Sequence, residues 1–365
     1  MSQPSRLRPF AASLLLTAVL AVPAGADDAK APPAAAAPPA PAPVLSETTY
    51  SVRHQLAVKD LPADAKQVRI WFWMPDDTPE QKVLDFRIVE APEGVRITRD
   101  STYGRSWIYA EVAADAANPP KIVTEFRLRR REVRGLADAS KAGPITAEHR
   151  RAFAKELRPD EKHMEVNPTI QKIADELCGT ETNPVLEARK CFDFVISKSE
   201  HYSKIGDGKA PQGKCLGDCM ECLAGVGDCC TDQHALFIAL CRARGIPCRL
   251  IYGSRLNYKN EGKDYDPGYR CWPRFFAPGL GWLPVDVSSA DATKDLDGDR
   301  WFGGLDDRRI EWSEGRDFDL EPKSSVKPDL VIRAWVEVDG KVHKGDVSGK
   351  LPKGYDRVIN FKREQ

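Results

Sequence analysis

The chain has 365 residues, and its 54 basic and 54 acidic side chains give a formal net charge of zero. This balance argues against nucleic acid as a partner, because binding to a phosphate backbone needs a basic surface. The length leaves room for two domains, each with a hydrophobic core of its own.

The N-terminus has the three parts of a secretory signal peptide in residues 1–26. Arg6 and Arg8 supply the basic region, residues 10–22 are apolar, and residues 24–26 read Ala-Gly-Ala, a cleavage site of the A-x-A kind. The apolar run is short for a bilayer, so a retained membrane anchor is the less favoured alternative. We expect a secreted or periplasmic protein without a stable membrane span.

Two segments of different composition follow the signal peptide. Residues 27–45 are mostly alanine and proline, a composition that favours an extended linker over a folded core. Residues 46–135 contain alternating apolar residues separated by Pro, Asp and Gly clusters, which predict a β-sandwich. The expected strands cover residues 50–58, 68–74, 84–88, 95–98, 106–112 and 122–128.

All ten cysteines lie between Cys178 and Cys271, within residues 136–365. In an exported protein this many cysteines predict disulfides, whose connectivity the sequence does not give. A CxxxCxxC spacing is an alternative signal, because it also binds metal ions and iron–sulfur clusters. Its cysteines are Cys215, Cys219 and Cys222. Since the compartment is expected to be oxidising, we favour disulfides and expect neither a metal nor a cofactor.

The segment 225–253 predicts a buried helix followed by a strand. Residues 235–240 form an apolar run of good helix formers, as in a helix inside a domain core. Gly245 is placed as the left-handed residue after the helix, and Pro247 prevents its continuation. Earlier helices are expected in residues 148–157, 168–177 and 184–197.

Cys229 and Cys230 fall at the N-terminus of this predicted helix. Unpaired backbone N–H groups and the positive end of the helix dipole favour a thiolate over a thiol at such a position. A catalytic cysteine is therefore expected there.

The sequence GDCCTDQHALFIALCRARGIPCR resembles the core motif of the transglutaminase-like superfamily, whose fold is papain-like. The resemblance implies that Cys230 is the nucleophile and Cys229 a spacer. A second motif of the family, His-x-Trp followed by Gly-Trp-x-Pro-x-Asp, is similar to residues 270–272 and 281–286. Asp286 and Trp272 match this motif, but Arg270 occupies the position of the catalytic histidine.

Arg270 changes what the resemblance implies about activity. Arginine stays protonated and has no acceptor, so it cannot take a proton from a thiol. Losing a general acid–base typically costs about 10²- to 10⁴-fold in rate. The positive charge could still stabilise a Cys230 thiolate. A hairpin turning at Pro278 is expected to place Arg270 opposite Asp286, as an ion pair.

Two other histidines are candidates for the missing base. His234 lies one helical turn beyond Cys230, although a side chain four residues on points back along the helix and need not reach the thiol. His201 precedes the nucleophile loop and could approach Cys230 from outside the motif. Packing or surface roles are the alternative for both residues. Trp272 is a further auxiliary candidate.

The sequence thus predicts an exported α+β protein with two domains. The N-terminal β-sandwich, residues 46–135, is followed by a papain-like transglutaminase-core domain, residues 136–365, in which a central helix packs on an antiparallel sheet. A C-terminal hairpin near residues 330–342 is expected to complete that second sheet.

Three functions remain open from the sequence. An active protein would be a cysteine protease or acyltransferase that attacks peptide or side-chain amides through Cys230. The alternative is a catalytically impaired pseudoenzyme that binds peptide or a cell-envelope polymer in the same cleft. A structural scaffold is the third interpretation.

Overall fold

The computed structural model describes residues 44–159, 161–201, 217–225, 229–293, 300–344 and 354–364. The predicted signal peptide and nearly all of the predicted linker lie outside the described residues. The linker was predicted to end at residue 45, but the first strand already begins at Val44.

The described strands are β1 (Val44–Val58), β2 (Gln67–Trp73), β3 (Gln81–Glu90), β4 (Arg96–Arg99), β5 (Ser106–Ala113), β6 (Lys121–Val133), β7 (Cys248–Arg255), β8 (Arg270–Ala277), β9 (Gly281–Pro284), β10 (Arg309–Glu314), β11 (Ala334–Val338), β12 (Lys341–Val342) and β13 (Tyr355–Arg363). The described α-helices are α1 (Ala147–Ala152), α2 (Pro168–Cys178), α3 (Pro184–Lys198), α4 (Cys219–Leu223), α5 (Cys230–Ala243) and α6 (Val287–Thr293).

The first six strands belong to two antiparallel sheets that share a core. One sheet has the order β13-β1-β6-β3 and the other β12-β11-β2-β5-β4. Leu56 of β1, Ile70 of β2 and Ile108 of β5 are fully buried in one hydrophobic cluster between them. Because each sheet buries one face of alternating apolar residues against the other, the pair forms the β-sandwich that the sequence predicts.

The C-terminal strands join this sandwich, not the sheet that follows the central helix. β13 pairs with β1 from Tyr50 opposite Arg363 to Val58 opposite Tyr355. β11 pairs with β2 and forms only a two-residue ladder with β12. The prediction assigned this hairpin to the second domain, because alternation shows that a segment is a strand but not which sheet it joins. The division of the chain at residue 135 stays a prediction.

A third sheet, in the order β10-β7-β8-β9, carries the central helix α5. Residues from Cys230 to Arg242 of α5 are all buried, between this sheet and the helices α2 and α3. Its apolar run, residues 235–240, is stable only inside a core. One hydrophobic cluster contains residues of α5 and β8 together with Trp73 of β2, so the sandwich and the helical part share it.

A buried group of charges also joins the third sheet to the sandwich. Arg274 of β8 contacts Glu80, which precedes β3, at 2.5 Å and Glu311 of β10 at 2.8 Å. Arg105, which precedes β5, contacts Glu311 at 2.9 Å. Each buried carboxylate therefore faces a guanidinium, as burial of charge requires.

None of the described helices is long and apolar enough to cross a membrane.

Candidate active site

The N-terminus of α5 is fixed by the buried carboxylate of Asp232. One oxygen accepts a hydrogen bond from the backbone N–H of Cys229, the N-cap residue, at 3.4 Å. The other oxygen accepts from the N–H groups of Gly217 and Asp218 at 2.9 and 3.1 Å. Asp232 thus closes a capping box and ties the preceding segment to the first turn. This arrangement places Cys230 at the first helical position, as predicted.

Cys230 is buried and surrounded by groups that stabilise its thiolate. Hydrogen bonds from the side chains of Cys271 and His201, with the charge of Arg270, outweigh burial and hold the pKa of Cys230 well below its ordinary value. The helix N-terminus acts in the same direction. The surroundings of Cys230 therefore favour its nucleophilic thiolate form.

Cys271 connects Cys230 to His234. Its sulfur lies 3.2 Å from Nδ1 of His234 and 3.6 Å from Oγ1 of Thr231, which is itself 3.9 Å from the Cys230 sulfur. Burial, together with the hydrogen bond to Cys230, raises the pKa of Cys271 well above its ordinary value. Cys271 is thus the protonated partner that donates to the Cys230 thiolate.

His234 lies behind Cys271 and in front of Asp286. Its Nε2 accepts from the backbone N–H of Ser288 at 3.4 Å and lies 3.6 Å from Oδ1 of Asp286. Nδ1 of the same ring faces Cys271, so His234 bridges the Cys271 sulfur and the Asp286 carboxylate. Cys230, Cys271, His234 and Asp286 therefore form one continuous buried array.

Asp286 makes its ion pair with Arg309 of β10, at 2.6 Å, which corrects the expected pairing with Arg270. Asp286 itself lies between elements, because β9 stops at Pro284 and α6 begins at Val287. The Asp286 carboxylate accepts from the N–H of Ser289 at 2.8 Å, as an N-cap residue does. Although burial opposes ionisation, Arg309 and His234 hold the pKa of Asp286 well below its ordinary value.

His201 is fixed next to Cys230 by an aspartate outside the predicted motifs. Its backbone N–H donates to Oδ2 of Asp291 at 2.7 Å, and Gln233 of α5 donates to the same oxygen at 3.2 Å. His201 is therefore tied to α5, and hydrogen bonding from its buried imidazole contributes to the lowered pKa of Cys230. Of the two candidate histidines, His201 contacts Cys230 and His234 contacts Cys271.

Arg270 begins β8 and lines a cleft of about 660 Å³. It is half-buried, and its charge acts on Cys230 as described above. Arg270 therefore belongs both to the cleft lining and to the electrostatic surroundings of the nucleophile.

Comparison with known proteins identifies this arrangement. Residues 171–287, which hold His201, Cys230, Arg270 and Asp286, match the family model of the transglutaminase-like superfamily. These residues are similar to the transglutaminase-like superfamily.

Similar proteins cover most of the chain. An uncharacterized protein of Haemophilus influenzae is 24% identical over an alignment of 296 residues, and the match covers 72% of this chain and 78% of that protein. The crystal structure of a candidate cysteine protease from Cytophaga hutchinsonii covers 87% of this chain and 98% of its own, with 15% identity and a TM-score of 0.50. This likeness supports the papain-like α+β fold.

A weaker structural likeness is found with the periplasmic domain of TgpA from Pseudomonas aeruginosa. It covers 68% of this chain and 90% of that domain, with 15% identity. Its TM-score of 0.32 is too low to support a functional comparison.

Trp272 matches the transglutaminase-like motif but lies on the far side of β8 from Cys230. Successive side chains of a strand point to opposite faces, so Cys271 faces α5 and Trp272 faces away from it. Trp272 packs with Val133, Ile251 and Leu305, and the guanidinium of Arg309 lies 5.1 Å from its ring. The structure therefore gives Trp272 a packing position.

Sequence reasoning missed Cys271, Arg309 and Asp291 as parts of the transglutaminase-like site. Cys271 had a usable signal, because it adjoins the histidine position on the strand that faces the nucleophile helix. Arg309 and Asp291 lie outside the quoted motifs, in β10 and α6, and no local pattern marks them.

The expected disulfides do not form among eight of the described cysteines, which carry free, buried thiols. They are Cys178, Cys191, Cys219, Cys222, Cys230, Cys241, Cys248 and Cys271. Helices of the transglutaminase-like core use several of them as small buried residues, a common role for cysteine. This finding corrects the prediction for these eight positions.

The CxxxCxxC segment is only partly described. Cys219 and Cys222 are buried in α4, whereas Cys215 lies outside the described residues. Within the described parts of the chain, no group of three or more His, Cys, Asp or Glu side chains is placed to hold a metal ion.

Proposed function

We propose that this protein is an exported cysteine acyltransferase or hydrolase that acts on peptide or side-chain amides through Cys230. The observation that carries the proposal is the set of groups around Cys230. A helix N-terminus, hydrogen bonds from Cys271 and His201, and the charge of Arg270 all stabilise a thiolate. Because the thiolate has already lost its proton, it can attack a carbonyl without the help of a general base.

The reaction then needs a proton only after the attack. The Cys230 thiolate adds to the amide carbonyl carbon, and the carbonyl electrons move to the oxygen of a tetrahedral intermediate. Collapse of this intermediate breaks the C–N bond and leaves a thioester on Cys230. Water or an amine then attacks the thioester, which gives hydrolysis or acyl transfer and regenerates the thiolate.

His201 is the group best placed to carry the proton. The leaving amine must be protonated as the C–N bond breaks, and Arg270 cannot release a proton at neutral pH. The imidazole of His201 contacts the Cys230 thiol. His234 faces Cys271 instead, so its role is to hold Cys271 in place. The backbone N–H of Cys230, at the start of α5, stabilises the oxyanion.

Export rests on the sequence of residues 1–26, which has the features of a signal peptide. A peptide or protein substrate in the cell envelope follows from this location and from the transglutaminase-like core.

A pseudoenzyme that binds peptide or cell-envelope polymer is the second candidate, and Arg270 at the histidine position is the observation that favours it. In this case His201 does not replace the base, and the cleft retains only a binding role.

The test is turnover of a library of peptides with glutamine, asparagine and backbone amide targets, with trapping of the thioester by mass spectrometry. Wild-type protein should accumulate an acyl group on Cys230, and Cys230→Ala should abolish turnover. His201→Gln should lower kcat by about 10²- to 10⁴-fold, because the leaving amine loses its proton donor.

His149→Gln is the matched control, since His149 lies on α1 and its ring accepts a hydrogen bond from the backbone N–H of Thr146, the N-cap residue. It should keep full activity. Turnover that survives Cys230→Ala would refute the proposal, whereas peptide binding without turnover in the wild-type protein would establish the pseudoenzyme.

A further inference from the structure

The cleft beside Arg270 is built mainly from cationic and aromatic side chains. It lies where β7 leaves the sheet and β8 enters it, and its volume is about 660 Å³. This size is in the range of pockets that bind small ligands or short peptide segments. It is lined by Arg255, Leu256, Asn257, Tyr258, Lys259, Asn260, Tyr265, Asp266, Pro267, Arg270 and Arg308.

Four of these lining residues are basic and one is acidic. The acidic residue, Asp266, is already held by Arg333 at 2.9 Å and by the buried Arg357. Its negative charge is therefore compensated from outside the cleft. The basic side chains dominate the charge that the cleft presents to a ligand.

Arg255 shows that positive charges are crowded at this position. Its ion-pair partner, Asp306, lies 3.8 Å away. Asp306 is closer to a second arginine, Arg309, at 2.9 Å. Burial lowers the pKa of Arg255, and the guanidiniums of Arg309 and Arg270 act in the same direction. An anion in the cleft would relieve this repulsion.

Arg308 is held ready for such an anion. Its guanidinium lies 4.4 Å from the centre of the Tyr258 ring, so a cation–π contact limits its rotation while it stays exposed. A pre-oriented guanidinium loses little freedom on binding a carboxylate.

We propose that this cleft is the substrate-binding site for an acidic peptide segment, whose carboxylate side chains are bound by Arg308, Arg255 and Arg270. This inference deepens the proposed function and rests on it for the position of the reacting amide. Arg270 both lines the cleft and acts electrostatically on Cys230, so it links this binding site to the nucleophile. The arginine at the histidine position then acts in specificity, not as a base.

The choice of a peptide over another anion follows from the polar groups beside the arginines. Asn260 and Asn257 line the same cleft and can hydrogen-bond to peptide amides, and the rings of Tyr258 and Tyr265 supply apolar surface. A carboxylate fits the planar guanidinium in two parallel hydrogen bonds.

Binding should be measured with the Cys230→Ala protein, so that turnover plays no part. Fluorescence anisotropy would compare a labelled pentapeptide containing two glutamates with the same peptide carrying two glutamines or two lysines, at low and high salt. We expect tightest binding of the glutamate peptide, weakened by salt. Inorganic phosphate serves as the competitor that reports simple anion binding.

Arg308→Gln should weaken binding of the glutamate peptide by about fivefold to tenfold, the effect of one charge-assisted hydrogen bond at a partly exposed site. Arg87→Gln is the matched control, because Arg87 is an exposed arginine of β3 that lines a different cleft. It should leave the affinity unchanged.

The acidic-peptide site would be overturned if the protein bound the glutamate and glutamine peptides with equal affinity. It would also be overturned if Arg308→Gln and Arg87→Gln lost the same amount of affinity for the glutamate peptide. Displacement of the peptide by millimolar phosphate alone would also overturn it in favour of a general anion site. Because no step of the assay uses Cys230, binding can succeed when the acyl-transfer proposal fails, and the two failures are distinguishable.

Discussion

The thiol of Cys271 is the residue whose role can be isolated most cleanly. It donates to Cys230, is held by Nδ1 of His234, and is the largest influence that lowers the pKa of Cys230. A lowered pKa means that the reactive thiolate is present above that pKa and disappears as the pH falls through it. The contribution of Cys271 can therefore be measured by comparing the pH at which Cys230 becomes reactive in proteins with and without the Cys271 thiol.

Cys271→Ala should shift the onset of Cys230 alkylation upward by about one to two pH units, the equivalent of one hydrogen bond to a charged group. The measurement is the alkylation rate of the Cys230 peptide at a series of pH values. Cys248→Ala is the control, because Cys248 is a buried thiol at the start of β7. An unchanged onset in Cys271→Ala would show that Cys271 does not stabilise the thiolate.

At the scale of single elements, the register between β7 and its neighbours depends on Gly253. A Cβ at this position would lie 2.3 Å from the carbonyl oxygen of Ile310 and 2.4 Å from Cη2 of Trp272. The carbonyl belongs to β10, which also supplies Arg309 to Asp286, so it cannot move without disturbing the site.

Gly253→Ala should lower the free energy of unfolding by about 1–3 kcal/mol, the usual cost of overpacking a core. Urea unfolding monitored by tryptophan fluorescence would measure this loss. The matched change Gly143→Ala meets only the Cβ of Pro278, at 3.7 Å, and should be nearly neutral. Equal stability of the two variants would contradict the close approach at Gly253.

The sequence predicted α5 well because its signals are local. The apolar run, Gly245 and Pro247 mark the end of the helix, and Gly245 has the expected positive φ of 73°. The strands of the sandwich were likewise predicted from alternation. The contact of His201 with Cys230 and the pairing of Asp286 with Arg309 depend on long-range packing, which no local pattern encodes.

At the scale of the whole molecule, the last strand completes the first sheet. β13 covers the edge of β1, and Ile359 and Phe361 of β13 are fully buried in the core shared with α5. An uncovered β1 would expose a row of unpaired backbone groups. The C-terminus is therefore needed for the N-terminal sandwich, and the chain is expected to fold as a unit.

A chain that ends at residue 353 should lose most of its stability or aggregate. Burial of Ile359 and Phe361 contributes about 1.5–3 kcal/mol each, against a typical total of about 5–15 kcal/mol. Thermal unfolding and size-exclusion chromatography would measure the effect. Deleting residues 27–43 instead should leave the melting temperature unchanged, since that composition favours a linker. An unchanged melting temperature in the chain that ends at residue 353 would contradict the pairing of β13 with β1.

The most direct test of the central claim is labelling of the purified protein with iodoacetamide across pH, with each cysteine followed by peptide mass spectrometry. We expect Cys230 to react well below the ordinary thiol pKa of about 8.5, before the other buried thiols, both in the wild-type protein and in Arg270→His. A Cys230 that reacts only near or above that pH, or only in Arg270→His, would show that the site keeps the transglutaminase-like fold without an activated nucleophile.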